Sequence, residues 1–285
     1  MTARRFAAWI AIAATALLLA ACSTADFAYR NAGLLYEQAP SFLLWSIDDY
    51  LDLTAAQKDF ARRRLERALA WHRASALPQY ARFLADLERQ VDAGLDEQAL
   101  REDRDRLRAF YRAIAEHLLP DAADLFAMLD DGQVNELARG LARADARLSE
   151  EAPKLRAKNI GRTLDHLEAW TGKLSPSQRE LVKSRLRAQP DLIAARVAEW
   201  RLRQAQLIAL LRARPGRDAM VSSLDVLLFD TAAWRDPSYA RAVDARETAM
   251  IGMLADLART LTPEQVAHIR ERIRGLLADI AKAGV

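Results

Sequence analysis

The spacing of apolar residues constrains the fold of this chain more than any other feature. From residue 27 onward they recur at i, i+3, i+4 and i+7, with charged residues between them, which is the period of amphipathic helices. Leu65 with Leu69, and Phe83 with Leu84 and Leu87, illustrate the pattern. Alternating β-branched runs between turn signals have almost no candidates. The pattern predicts an all-α fold, an irregular multi-helix bundle of helical hairpins.

Prolines and glycines divide the periodic region into about ten predicted helices, because both residues end or kink helices. These residues are Pro40, Gly94, Pro120, Gly132, Pro153, Gly172, Pro190, Pro215, Pro237 and Gly284. Residues 27–285 are long enough to bury a large core. We predict one helical domain over this range, with a subdivision near residues 150–175 as an alternative.

The N-terminal segment has the order of a secretory signal. Arg4 and Arg5 precede an uninterrupted apolar run from Phe6 to Ala20. The run of about 15 residues is shorter than the ~20 that a membrane-spanning helix needs. We therefore predict that residues 1–21 are a signal peptide that is removed, and that residues 22–26 form a short tether.

The end of this apolar run is Leu19-Ala20-Ala21-Cys22. It resembles the lipobox of bacterial lipoproteins, and the alternative is a cysteine placed there by chance. The resemblance implies cleavage before Cys22 and diacylglycerol on its sulfur, followed by a further acyl chain that makes anchoring permanent. By analogy with lipoprotein sorting in enteric bacteria, Ser23 after the cysteine favours the periplasmic face of the outer membrane over the inner membrane. The predicted location is the cell envelope, and the predicted membrane partner is bound through lipid on Cys22.

The charge balance argues against a nucleic-acid partner. Loss of residues 1–21 removes Arg4 and Arg5 and no acid, which leaves 40 basic and 39 acidic residues. The basic residues are also interleaved with acids along the predicted helices. No net positive field remains to hold a polyanion.

A short motif occurs three times, as Leu53–Gln57, Leu174–Gln178 and Leu261–Gln265. Each copy starts with Leu followed by Thr or Ser and ends with Gln. A Thr or Ser at the N-cap and a Gln three residues later form a capping box. The motif therefore predicts the start of a helix at each copy.

Each glutamine is followed seven residues later by an arginine, in the pairs Gln57 with Arg64, Gln178 with Arg185, and Gln265 with Arg272. A separation of seven residues keeps both side chains near one stripe of a helix. Two interpretations stay open for these residues: chemistry of the helix start alone, or a shared interaction motif that presents a similar polar edge in every copy.

Two resemblances bear on this motif and on the region before it. The L-T-x-x-Q pattern resembles that of the periplasmic Spy/CpxP family, which implies a helical, cradle-shaped, chaperone-like protein. Residues 36–57, with Leu44-Trp45, Asp48-Asp49-Tyr50 and Asp52-Leu53-Thr54, are similar to a family of uncharacterised proteobacterial lipoproteins. That second resemblance implies a lipoprotein with a helical fold and brings no activity.

One stretch before the first motif joins an aromatic residue to three acids. On a helix, Trp45, Asp48, Asp49 and Asp52 share one face. The face is a candidate acidic-aromatic patch for a cation or a basic partner. The alternative is an ordinary helix edge whose carboxylates are solvated or paired with arginines such as Arg62 and Arg63.

Motifs that carry chemistry are absent from the sequence. His72, His117, His166 and His268 are widely separated, without paired metal-ligand spacing. There is no G-x-S-x-G elbow and no glycine-rich loop after a strand. We predict no catalytic residue, metal or cofactor, and a non-enzymatic binding or scaffold role with an envelope or unfolded protein as partner. The alternative is a cell-wall-modifying enzyme with an acidic pair in a helical cleft.

Overall fold

The computed structural model describes residue 36 and residues 38–284. Within these residues the chain forms ten α-helices and no strand, which confirms the predicted all-α bundle. The helices are α1 (Ala39–Leu51), α2 (Ala55–Trp71), α3 (Leu77–Ala93), α4 (Glu97–Ala127), α5 (Asp131–Thr171), α6 (Pro176–Ala188), α7 (Ile193–Ala213), α8 (Arg217–Leu228), α9 (Pro237–Ala258) and α10 (Pro263–Ala283). A π-helical turn, His72–Ala76, joins α2 to α3, and a 3-10 turn, Thr231–Ala233, lies between α8 and α9.

Glycine and proline act as helix ends at some of the predicted positions and not at others. Gly94 and Gly172 follow the last residues of α3 and α5 with φ of 94° and 72°, a backbone region that glycine adopts without steric cost. Pro120, in contrast, lies inside α4. Its neighbours Leu119 and Ala123 are buried in the core, and this packing offsets the backbone hydrogen bond that a proline removes.

The largest core cluster is formed by α1, α2, α4, α5, α7 and α8. Leu137 on α5 and Leu224 on α8 are almost completely buried there. A second cluster joins α3 to α10 around Ile273, and a third joins the end of α5 to α6 and α9 around Val182 and Met253. The apolar stripes of α3 and α10, and those of α6 and α9, thus pack together although these helices are distant in sequence.

The helix α5 links the regions of these clusters. Its 41 residues correspond to a length of about 60 Å at the rise of an α-helix. It begins in the largest cluster at Val134 and reaches the third at Leu164. The helix runs without a break through residues 150–171. The subdivision of the domain near residues 150–175 stays a prediction.

Candidate functional site

The three motif copies begin helices in the way the sequence predicts. The hydroxyls of Thr54, Ser175 and Thr262 accept hydrogen bonds from the backbone N–H groups of the glutamines three residues later, at 3.2 to 3.4 Å. In return, each glutamine Oε1 accepts the backbone N–H of its N-cap residue, at 2.8 to 3.0 Å. All three capping boxes are therefore complete.

A fourth copy, at the start of α5, was missed in the sequence. Leu129 and Asp130 stand where the other copies have Leu and Thr or Ser, and Gln133 follows at the same spacing. The Asp130 carboxylate accepts the Gln133 N–H at 2.8 Å, and the Asp130 N–H donates to Gln133 Oε1 at 3.1 Å. The fourth copy could have been recognised in the sequence, because aspartate is as good an N-cap as serine. Gly140 replaces the trailing arginine in this copy.

The glutamines of the first and fourth copies form a reciprocal pair. Gln57 Nε2 donates to Gln133 Oε1 at 3.0 Å, and Gln133 Nε2 donates to Gln57 Oε1 at 2.8 Å. Each amide also donates to the backbone carbonyl five positions before its partner. Gln57 reaches Met128 O at 2.7 Å, and Gln133 reaches Asp52 O at 2.9 Å. The starts of α2 and α5 are thereby bound to each other.

The second and third copies repeat this arrangement at the starts of α6 and α10. Gln178 and Gln265 donate to each other's Oε1 at 2.8 and 3.0 Å. Gln178 Nε2 also donates to Thr260 O at 2.8 Å, and Gln265 Nε2 donates to Lys173 O at 3.0 Å. The two amide pairs, Gln57–Gln133 and Gln178–Gln265, therefore have the same bonding pattern.

The chemistry of a primary amide explains why glutamine occupies these positions. Its NH₂ group donates to two acceptors while its oxygen accepts from two donors, so every polar group of a buried pair is satisfied. A glutamate has no N–H and would place a carboxylate against a carbonyl oxygen. All four glutamines are buried, with at most 7% of their surface exposed. The amide pairs are thus internal locks between helix starts.

This burial corrects the expectation that each copy presents one polar edge containing both its glutamine and its arginine. The glutamines face inward, whereas Arg64 binds Asp121 at 3.2 Å and Arg185 binds Asp256. Arg272 is partly buried and makes contacts of its own. An interaction motif that includes the glutamines stays a prediction, and it would require the amide pairs to open.

The structure divides Asp48 from the other residues of the predicted acidic-aromatic patch. Trp45 is 49% exposed and its ring centre lies 6.0 Å from that of Phe42, while Asp49 and Asp52 are exposed further along the helix. Asp48 turns to the loop after α1, where it accepts the Leu53 N–H at 2.9 Å and pairs with Lys58 at 2.9 Å. The expected partners of these acids were arginines.

Arg62 and Arg63 do not fill that role for Asp48, since its partner is Lys58, and Arg62 pairs instead with Asp59 at 3.0 Å. Trp45 and Asp49 remain exposed one turn apart on α1, and Asp52 is exposed directly after its last residue. The division follows from the left-handed backbone at Asp52, which ends the helix and turns the chain so that Asp48 can cap the loop.

Two of the four histidines, His72 and His117, line the same cavity beside α1. His72 is buried, with the Tyr36 hydroxyl 2.7 Å from its Nδ1, and burial lowers the pKa of His72 to about 4. His117 stacks on Trp71 with 4.0 Å between ring centres. In residues 36 and 38–284, no group of three or more histidine, cysteine or acidic side chains is arranged to hold a metal ion.

One pair of acids has pKa values displaced in opposite directions. Arg106 donates to Asp86 at 2.8 Å and lowers the pKa of Asp86, whereas burial raises the pKa of Asp103. A second nitrogen of Arg106 lies 3.9 Å from Asp103. Neither acid lines the cavities beside α1, between α6 and α9, or between α7 and α8.

Comparison with models of protein families gives a match. A model of a family of unknown function, DUF6279, matches residues 49–240. The chain belongs to DUF6279. The matched region contains the Gln57–Gln133 pair and Gln178, while Gln265 lies beyond it.

Membership in DUF6279 confirms that the chain is part of an uncharacterised family. No curated protein and no solved structure matches the chain. None of the helices within the described residues is long and apolar enough to cross a bilayer. The signal-peptide and lipobox residues Leu19, Ala20, Ala21 and Cys22 lie outside the described residues.

Proposed function

We propose that this DUF6279 protein is a lipid-anchored lipoprotein of the bacterial cell envelope with a non-enzymatic binding or scaffold role. The observation that carries the proposal is Leu19-Ala20-Ala21-Cys22 directly at the end of the apolar run from Phe6. In this reading the lipid on Cys22 holds the helical domain at the periplasmic face of the outer membrane.

The position of α1 supports this arrangement. The helix begins 17 positions after Cys22, and a chain of that length reaches at most about 60 Å when fully extended. Phe42 and Trp45, each about half exposed, lie on its first turns. Tryptophan, with an apolar ring and a polar N–H, favours a membrane interface, and Phe42 adds apolar surface beside Trp45. The end of the domain nearest the anchor thus suits a location beside lipid.

A chaperone-like form of the proposal, as the Spy/CpxP resemblance implies, needs exposed apolar surface for unfolded clients. Large apolar side chains that are well exposed among the described residues occur on α1, α4, α7 and α8, and beside α4. They are Phe42, Trp45, Leu107, Leu202, Val226 and Met128. Because they are spread over several helices, we favour a scaffold with small contact patches over a single client groove.

The lipid anchor is tested by expressing the full chain in a Gram-negative host with an alkyne-labelled fatty acid. We expect label on the protein and recovery in the outer-membrane fraction. The variant Cys22→Ala should lose both, whereas the neighbouring variant Ser23→Ala should keep the label. An unlabelled parent protein, or label that persists on Cys22→Ala, would overturn the proposal.

The chaperone-like form is tested with soluble protein that starts at Ser23. At stoichiometric ratios, this protein would suppress the aggregation of a chemically unfolded test protein. Absence of suppression overturns the chaperone form and leaves the scaffold role, whose partner is then sought by crosslinking in the envelope.

The opposite pKa displacements of Asp86 and Asp103 are the observation that favours the alternative, a cell-wall-modifying enzyme. Purified protein mixed with isolated bacterial cell wall tests it directly. We expect no release of soluble fragments. Release that disappears in Asp103→Asn would establish the enzyme and overturn the non-enzymatic role.

A further inference from the structure

Two arginines converge on one glutamate where α7 meets the connection between α8 and α9. Arg235 Nε donates to Glu199 Oε1 at 2.5 Å. Arg203, one turn after Glu199 on α7, has its Nη2 3.9 Å from the same oxygen. That distance is too long for a hydrogen bond. Glu199 therefore binds Arg235 and leaves Arg203 with only a distant charge.

Arg203 has no hydrogen bond to any of the described residues. Its Nε is buried without a partner, although 28% of the side chain is exposed. The guanidinium lies over the Trp234 ring, 5.0 Å from the ring centre. A guanidinium carries several N–H donors in a planar fork. Leaving these donors without hydrogen-bond acceptors at a partly desolvated position costs free energy. Water or an anion must meet the exposed part of the fork.

The charges around Arg203 leave an excess of positive charge. Arg203 and Arg235 both face the carboxylate of Glu199, and Arg196 lies on the same face of α7, one turn before Glu199. Burial lowers the pKa of Arg203, Arg235 lowers it further, and Glu199 is the carboxylate that opposes them. Asp236, next to Arg235 in the sequence, is engaged elsewhere, since it caps α9.

Two aromatic rings, those of Trp234 and Tyr239, lie beside the guanidinium groups of these arginines. Trp234 faces Arg203 at 5.0 Å and Arg235 at 5.9 Å, and the Tyr239 ring lies 5.9 Å from Arg235. These contacts hold both guanidiniums in position and offer an apolar wall beside the charge.

We propose that this arginine–tryptophan cluster, formed by Glu199, Arg203, Trp234, Arg235 and Tyr239, binds the carboxylate or phosphate oxygens of a small ligand through Arg203. The planar fork of an arginine matches both groups in a bidentate way. One anionic group compensates the positive charge that Glu199 leaves unpaired, and the Trp234 and Tyr239 rings accommodate an apolar body attached to it. The cluster lies in the DUF6279 region. Trp234 and Arg235 are on the connection between α8 and α9, and the other members are on α7 and α9.

Titration calorimetry on the full chain, purified in a neutral detergent, tests the proposal with two probes. Inorganic phosphate tests a free phosphate, and benzoate tests a carboxylate on an apolar ring. Benzamide is the matched neutral control for benzoate. We expect at least one anion to bind and benzamide not to bind. Whichever probe binds identifies the anion chemistry, and binding of neither overturns the proposal.

The variant Arg203→Met retains an apolar side chain against Trp234 and removes the fork. We expect it to weaken binding by at least about tenfold, the size of a lost charge-assisted contact. Arg212→Met is the matched control, because Arg212 lies later on α7 and donates to Asn135 instead. It should bind like the parent. Equal binding by folded Arg203→Met overturns the proposal.

If Arg203→Met does not fold, Arg203→Lys decides the question. Lysine keeps the charge and a long apolar stem, but it lacks the planar fork. Weaker binding by Arg203→Lys at an unchanged melting temperature without ligand supports the proposal. Binding equal to that of the parent protein contradicts recognition by the fork.

Discussion

The side-chain amides of Gln178 and Gln265 donate to each other's oxygen atoms across 87 residues of sequence. Gln57 and Gln133 do the same across 76 residues. In both pairs each glutamine also completes a capping box, so one side chain fixes the start of its own helix and attaches it to a second helix. Local helix capping and long-range packing are therefore combined in single residues.

This relationship predicts that Gln178→Glu destabilises the protein. The substitution retains the size of the side chain but removes both N–H donors and places negative charge against Thr260 O and Gln265 Oε1. We expect the free energy of unfolding to fall by about 3 kcal/mol, the cost of an unpaired buried charge. Urea unfolding at pH 7 measures it.

The control for this substitution is Gln79→Glu, on an exposed face of α3, where the side chain donates to Ser75 O. Its effect should stay within about 0.5 kcal/mol. Similar losses in Gln178→Glu and Gln79→Glu would show that the buried pair contributes nothing specific.

A double-mutant cycle tests the pairing itself. We expect Gln57→Ala and Gln133→Ala to be coupled by about 1 to 2 kcal/mol in unfolding free energy, because the two residues share direct hydrogen bonds. Gln57→Ala and Gln178→Ala belong to different pairs and should be additive. Additive effects of Gln57→Ala and Gln133→Ala would contradict a reciprocal lock.

The sequence predicts the fold class and three of the four helix starts that carry the Leu–Gln motif, because periodicity and capping are local properties. The pairing was not predictable. The three recognised copies are 121 and 87 residues apart in sequence, and the true partner of Gln57 is Gln133, whose copy has Asp130 in place of Thr or Ser.

The arginine–tryptophan cluster escaped sequence reasoning for a similar reason. Glu199 and Arg203 look like an ordinary ion pair at i, i+4 on an exposed helix. In the folded protein, Arg235 comes from a connection distant in sequence and binds the Glu199 carboxylate in place of Arg203. For Pro120 the local pattern was misleading, because it predicted a helix end or kink. The helix continues through Pro120, since Leu119 and Ala123 beside it are packed in the core.

The buried His72 predicts a loss of stability in mild acid. Its pKa is lowered to about 4 in the folded state against 6.5 for an unperturbed histidine, so the unfolded chain binds a proton first as pH falls. The stabilising contribution is fully present above pH 6.5 and is lost progressively towards pH 4. The loss is about 3 kcal/mol by proton linkage.

Unfolding free energies of the parent protein and His72→Gln between pH 7 and pH 4.5 measure this contribution. The difference between the two should shrink as pH falls, because the parent alone loses it. His166→Gln, at an exposed position on α5, is the control and should keep the pH dependence of the parent. A parallel decline in the parent and His72→Gln would place the pH dependence in other groups.

The two neighbouring acids on α1 should respond differently to truncation. Asp48→Ala removes the acceptor of the Leu53 N–H and the partner of Lys58, next to the start of α2. A lost cap of this kind costs about 1 kcal/mol. Asp49→Ala removes an exposed carboxylate and should leave the unfolding free energy nearly unchanged. Thermal and urea unfolding of both variants give the comparison. Equal stabilities would mean that Asp48 does not hold the turn, and that both acids are free to act together as a surface patch.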